Sequence, residues 1–301
     1  MLKLGIVDCD TSHVVQFSMR LNHKEIDQEQ WVDGANIVAA VPLPSAVLPQ
    51  ERIDEYVTKL KGWGIEIVDK PEKLLDMGLD GVLIEAVDGS MHLERARPFL
   101  EAGMPLYIDK PFACCAADAK EILRLARENK VPVFSTSSLR YGLEVVEVLE
   151  DKEGKYGKVL GANCWTPASL NERNPGLFNY GIHGVEPLFT LMGSGCKTVW
   201  TVFQEGAEVT VGLWDDGRIG SVRGTRQGAH SYGFTAWCEK QVITTPINAA
   251  YIYRELLKQM VQMFETRKPP VDLQETLELV AFIEAAMESG ANNGKPVDLA
   301  R

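Results

Sequence analysis

The sequence predicts an α/β chain: a doubly wound parallel sheet at the N-terminus, followed by an α+β domain with a mostly antiparallel open sheet. Three observations predict it. Apolar runs alternate with helical patterns over residues 1–137. From residue 138 strand patterns instead follow one another directly. The 301 residues are 45% hydrophobic, which suffices for two ordinary cores. The predicted domains are therefore 1–137 and 138–301.

In the first half the strand candidates are 2–8 (LKLGIVD), 35–41 (ANIVAAV), 65–69 (IEIVD), 81–87 (GVLIEAV), 105–109 (PLYID) and 131–137 (VPVFSTS). They are apolar without alternation, as suits strands covered on both faces. Between them, 118–129 places Ala119, Ile122, Leu123 and Ala126 on one helical face. Residues 90–102 read as a helix stopped by Gly103, with a bend expected at Pro98. Strand, helix, strand in repetition means parallel pairing.

In the second half the strand candidates are 197–204, 207–215, 218–223 and 234–245, with Asp216-Gly217 as a hairpin turn. Helices are expected at 251–266, with a stripe of Ile252, Leu256, Met260 and Met263, and at 273–289, with Gly290 as its stop. A sheet face carrying Trp200, Val202 and Trp214 is expected to cover the protein's own helices or a partner.

A net charge of -11 and a pI near 5.1 argue against nucleic-acid or anionic-membrane partners. No apolar run approaches the roughly 20 residues of a membrane span. MLKLGIVDCD runs straight into a core strand, so a cytoplasmic location is expected. Cysteines 9, 114, 115, 164, 196 and 238 have no zinc-type spacing and read as reduced thiols.

Two stretches carry candidate chemistry. Asp109-Lys110-Pro111 ends a parallel strand, and ligands of open α/β sheets bind beyond strand C-termini. The bland alternative is a solvated lysine in a loop. In 178–193 (FNYGIHGVEPLFTLMG), Gly181 precedes His183 and Glu186, which share a helical face. The bland alternative there is an ordinary helix start with a satisfied histidine.

A βαβ half, an E-K-P-like triplet after its fifth strand and a later G-x-H-x-x-D-like segment together resemble the Gfo/Idh/MocA oxidoreductase family. Arg140-Tyr141 and Gly290 also fall where that family places similar residues. The resemblance covers essentially the whole chain. It implies a Rossmann domain binding NAD or NADP, and a C-terminal sheet supplying the substrate wall and the contact of a homodimer or homotetramer. The implied reaction is hydride exchange with a sugar-like or polyol substrate. Lys110 matches the family's lysine, and His183 matches its histidine, a suitable general acid/base. Arg140, Tyr141, Trp165 and Tyr180 are candidate substrate residues, with Asn171, Arg173 and Asn174 nearby in sequence.

The pattern is broken in four places. Asp109 and Glu186 each replace the other carboxylic acid and keep the charge. Asn179 stands where many members have an aspartate, and an amide cannot take a proton. In the register of G-x-G-x-x-G, Asp8, Asp10 and His13 occupy the glycine positions. At 5 Å each carboxylate is expected to repel a unit anionic charge by roughly 3 kcal/mol. Asp10, Thr11 or Ser12 can cap the following helix instead. Val41-Pro42-Leu43-Pro44 supplies neither the acid that holds a ribose nor an arginine for a 2′-phosphate. The cofactor-binding candidates are thus Asp8, Asp10, Thr11, Ser12, His13, Asp88, His92, Asp109 and Pro111. Asp10, His13, Asp88 and His92 have the right donors for a divalent metal, but caps and surface polar residues are the preferred reading, and no metal is expected.

Three functions compete. The leading one is an NAD(P)-dependent oxidoreductase. The others are a cofactor-independent lyase or hydrolase on the same scaffold, and a non-catalytic binding protein.

Overall fold

A computed structural model describes residues 1–300. In chain order the elements are β1 (Leu2–Val7), α1 (His13–Leu21), β2 (Ala35–Val41), α2 (Gln50–Gly62), β3 (Glu66–Ile67), α3 (Glu72–Leu75), β4 (Gly81–Ile84), α4 (His92–Glu101), β5 (Leu106–Ile108), α5 (Ala116–Glu128) and β6 (Val133–Phe134). There follow α6 (Leu143–Glu150), β7 (Val159–Pro167), α7 (Ile182–Met192), β8 (Cys196–Gln204), β9 (Ala207–Trp214), β10 (Ile219–Thr225), β11 (Gly233–Cys238), β12 (Val242–Pro246), α8 (Ile252–Thr266), α9 (Leu273–Ala291) and β13 (Val297–Asp298).

Two compact units form. The first comprises 1–113, 117–136 and 253–273; the second comprises 114–116, 137–252 and, of the described residues, 274–300. Helix α8 therefore packs with the N-terminal unit, whereas the sequence placed it with the C-terminal domain.

The first unit is built on an all-parallel sheet in the order β3-β2-β1-β4-β5-β6. The order reverses between β1 and β4, the switch point at which such sheets bind ligands. Leu4, Ile6, Val82, Leu83, Ile84, Leu106 and Ile108 are wholly buried, as strands covered on both faces require. Helix α8 lies against this sheet at a close approach: a Cβ on Gly81 would stand 2.1 Å from the Phe264 ring. Helix α4 runs unbroken through Pro98.

The second unit holds a sheet in the order β12-β11-β7-β10-β9-β8-β13, antiparallel except for the β7–β10 pair. The run 234–245 is two strands, not one, because Glu239-Lys240-Gln241 turns the chain. Gly290 lies inside α9 rather than stopping it, where its lack of a side chain admits Phe203 of β8. Trp214 is on the core face, 1% exposed, with its indole N–H donating to the Gly193 carbonyl, on the opposite side of the sheet from Trp200 and Val202, with which the sequence grouped it.

The outward face mixes apolar residues with the polar Asn163, Ser221, Arg223 and Thr235. Register puts Trp200, Val202, Val209, Val211, Leu213, Ile219, Trp237 and Val242 on one side. Val202, Ile219 and Val242 are largely exposed. No helix among the described residues is long and apolar enough to cross a membrane.

Candidate functional site

In the first unit the candidate residues collect beyond the C-terminal ends of β1, β4 and β5. Asp8, the residue after β1, has φ 68, the left-handed region that glycine favours. The first glycine position thus keeps a glycine-like backbone while carrying a carboxylate. That carboxylate is buried and accepts from Arg95 Nε at 3.1 Å. Burial pushes its pKa up to about 7, against the pull of Arg95 and with the help of Asp10.

Asp10 is tied down at both oxygens. One accepts the Ser45 hydroxyl at 2.6 Å, the other the Val87 N–H at 2.9 Å. It stitches the first turn to the segments after β2 and β4. The simple repulsion expected from two acids at this turn is therefore offset: Asp8 faces a guanidinium, and Asp10 is spent on internal donors.

Of the three candidate caps only Thr11 acts, its hydroxyl accepting the His13 N–H at 3.3 Å. Ser12 is itself helical and makes no side-chain cap bond. The turn keeps the left-handed backbone, the helix N-terminus of α1 and a neighbouring arginine, which is a set that fits a diphosphate.

Asp88 and His92 have local duties. Asp88 accepts from the Ser90 N–H at 3.0 Å and its hydroxyl at 2.6 Å. His92 is fully buried between the carbonyls of Ala86, at 2.8 Å, and Phe112, at 3.3 Å, and burial lowers its pKa. The set Asp10, His13, Asp88 and His92 is not a ligand cluster.

What comes together instead is His13, Glu85 and Asp109, all buried, each offering a ligand atom within 4.8 Å of the others. Asp109 follows β5 and lies 2.8 Å from His13 Nδ1, while Lys110 Nζ is 3.9 Å away. The Lys110–Pro111 peptide is cis. Burial pushes Asp109 up, but the charges of His13 and Lys110 hold its carboxyl well below the usual range. Glu85 goes the other way: burial and the nearby Asp109 charge raise it well above.

In the second unit His183 lies in the first turn of α7, its Nδ1 2.7 Å from the Ser137 hydroxyl. Tyr180 and Tyr232 flank its ring edge-on, each centroid 5.7 Å away. Glu186, one turn on, accepts the Ser137 N–H at 3.0 Å and pairs with Arg140 at 3.1 Å. Arg140 also reaches Glu275 at 2.5 Å. Burial alone depresses a guanidinium, but these two carboxylates hold Arg140 above its ordinary pKa. Burial pushes the neighbouring Tyr141 phenol up.

Glu186 therefore reaches His183 through Ser137 rather than by direct contact. Asn179 is spent on Ser169, donating to its carbonyl at 2.8 Å and its hydroxyl at 3.1 Å. Trp165 donates its indole N–H to the Ser231 hydroxyl at 3.1 Å. Tyr180 and Tyr232, with Ser169, Arg226 and His230, line a cavity of about 400 Å³.

Sequence reasoning missed Glu85 and Ser137. Glu85 carried a signal, an acid inside an apolar parallel strand run; Ser137, one of several hydroxyls in STSS, carried none.

Over the whole chain the fold is shared with solved dehydrogenase structures. Residues 50–137 match the Gfo/Idh/MocA family model, described as an oxidoreductase family with an NAD-binding Rossmann fold. The matched segment begins after β1, the first turn and β2, so it omits Asp8, Asp10 and His13.

Among solved structures, the chain is similar to myo-inositol dehydrogenase from Lactobacillus casei, in complex with NAD(H) and myo-inositol. Identity is 13%, TM-score 0.79, with 100% of this chain and 97% of that one covered. It is similar to scyllo-inositol dehydrogenase from Lactobacillus casei, with bound NAD(H) and scyllo-inositol, at 15% identity, TM-score 0.76 and 100% of each chain. It is also similar to an oxidoreductase from Agrobacterium radiobacter in complex with NAD+, L-tartaric acid and magnesium. That match has 15% identity, TM-score 0.77, and covers 99% of this chain and 98% of that one. No curated protein matches the sequence.

Proposed function

We propose that the protein is an NAD(P)-dependent oxidoreductase that moves a hydride to or from a sugar-like or polyol substrate, with Lys110 and His183 as its catalytic pair. The observation that carries the reading is the placement of these two residues. Lys110 follows β5 at the ligand-binding end of the parallel sheet, and His183 opens α7 with its Nδ1 already held by Ser137. The polyhydroxylated ligands named with the similar structures support the substrate class.

The nicotinamide would supply the hydride chemistry. Arg95, the N-terminal turn of α1 and the backbone after Val7 would hold its diphosphate. Lys110 would polarise the reacting oxygen with its ammonium. His183 would move the hydroxyl proton at Nε2, since Nδ1 is engaged. Ser137 can donate to a bare Nδ1 or accept from a protonated one, so it supports both states of the ring. Glu186 and Arg140 act as positioning residues, holding the Ser137 backbone. The cavity beside Tyr180 and Tyr232 offers the aromatic faces and hydroxyls that a polyol uses. The outward face of the second sheet is the proposed contact of a homodimer or homotetramer.

Calorimetric titration of ligand-stripped protein with NAD+, NADH, NADP+ and NADPH tests the reading. Micromolar binding of one of them is expected. No binding at millimolar cofactor would refute it and favour the lyase or hydrolase reading, to which the acids at Asp8 and Asp10 point.

A further inference from the structure

Glu85 is the one buried carboxyl of the first unit whose two oxygens both lack a hydrogen-bond partner among the described residues. It is wholly inaccessible. Leaving such a group unpaired costs about 1–3 kcal/mol or more, so a native structure that keeps one needs a reason for it. A shared proton with Asp109 is the simplest reason, yet no hydrogen bond joins them. Glu85, His13 and Asp109 instead each present a ligand atom, and these three atoms lie within 4.8 Å of one another. Atoms that bind one ion at about 2.0–2.2 Å stand about 3–4.4 Å apart, which is the spacing this trio approaches with small side-chain movements.

We propose that His13, Glu85 and Asp109 form a binding site for a single divalent first-row cation, Zn²⁺ or Mn²⁺. One imidazole nitrogen and two carboxylate oxygens are the donors such ions take. The three residues come from the ends of α1, β4 and β5, so the ion would brace the switch point of the sheet. His13, at 8% exposed, is the side from which it enters. Lys110 Nζ, 3.9 Å from Asp109, faces the site and opposes the cation. The two carboxylates outweigh that single charge. Asp10 adds a further negative charge from the first turn, felt by Glu85. The site stands on the first unit's own residues and does not depend on the dehydrogenase reading.

The test is titration of the chelator-treated full chain with Mn²⁺, followed by electron paramagnetic resonance, with Zn²⁺ as competitor. One equivalent of Mn²⁺ should bind and be displaced by Zn²⁺. Glu85→Gln and Asp109→Asn, each close in shape to the native residue, should weaken binding by at least about 100-fold, the upper end of what outer-shell partners alone contribute. If either fails to fold by circular dichroism, His13→Asn at the entry side supplies the same reading. No wild-type binding below millimolar Mn²⁺, or equal binding by wild type and folded variants, would overturn the proposal. Dinucleotide binding is measured separately, so loss of one reading leaves the other standing.

Discussion

Replacing Asp8 by asparagine should stabilise the protein, and do so more at high pH than at low. The Asp8 carboxyl moves from an ordinary 3.8 to about 7 on folding, because burial penalises its charged form more than Arg95 favours it. Below pH 3.8 the group is protonated folded and unfolded, and contributes nothing. Between 3.8 and 7 the folded state binds the extra proton, so stability falls as pH rises; above 7 the full penalty applies. A shift of about three units corresponds to about 4 kcal/mol, an upper bound once local relaxation is allowed. Asparagine keeps the shape, tolerates the φ of 68, and its carbonyl can still accept from Arg95. In urea unfolding of the full chain, the gain of Asp8→Asn over wild type should grow by about 2–3 kcal/mol from pH 5 to pH 8. A gain that does not change with pH, or a loss at pH 8, would refute the reasoning.

Three further outcomes are expected. Glu186→Leu removes one of the two carboxylates holding buried Arg140 and should cost about 3 kcal/mol in urea unfolding, with Glu186→Gln costing less. Ser137→Ala removes the 2.7 Å partner of His183, worth about 1 kcal/mol, so kcat should fall about fivefold with KM unchanged, and Ser137→Thr should restore it. Trp237→Asp puts a charge on the outward face of the second sheet, and light scattering should show a monomer where the wild type forms the proposed homo-oligomer.

The parallel half was legible because strands buried on both faces are written as unbroken apolar runs, and five of the six predicted runs contain their strand with at most four residues to spare. Strand β7 was not legible: VLGANCWTP mixes glycine and asparagine into its alternation, and only the β10 and β11 neighbours make it a strand. The turn at Glu239-Lys240-Gln241 carries no glycine or proline, so 234–245 read as continuous. The stripe of α8 showed that one face is buried, but periodicity cannot say against which sheet. At the site, Lys110 and His183 were visible from their neighbours in sequence. The approach of His13 and Glu85 to Asp109 was not, since residues from a helix start and two separate strand ends meet only when the sheet order is known.

Helix α8 gives synthesis of the chain a timetable. The first unit is covered by residues 253–273, which leave the ribosome well over 100 residues after β6. At about 5–20 residues per second, the interval is on the order of 10 s. Until then the faces that later meet Tyr253, Val261 and Phe264 have no cover: the His13 and Phe17 rings, Gly34 and Gly81. The nascent N-terminal sheet is thus a natural client for a chaperone during that interval, and the second sheet, all of whose strands except β13 have already emerged, can pair β7 to β12 before the first unit closes.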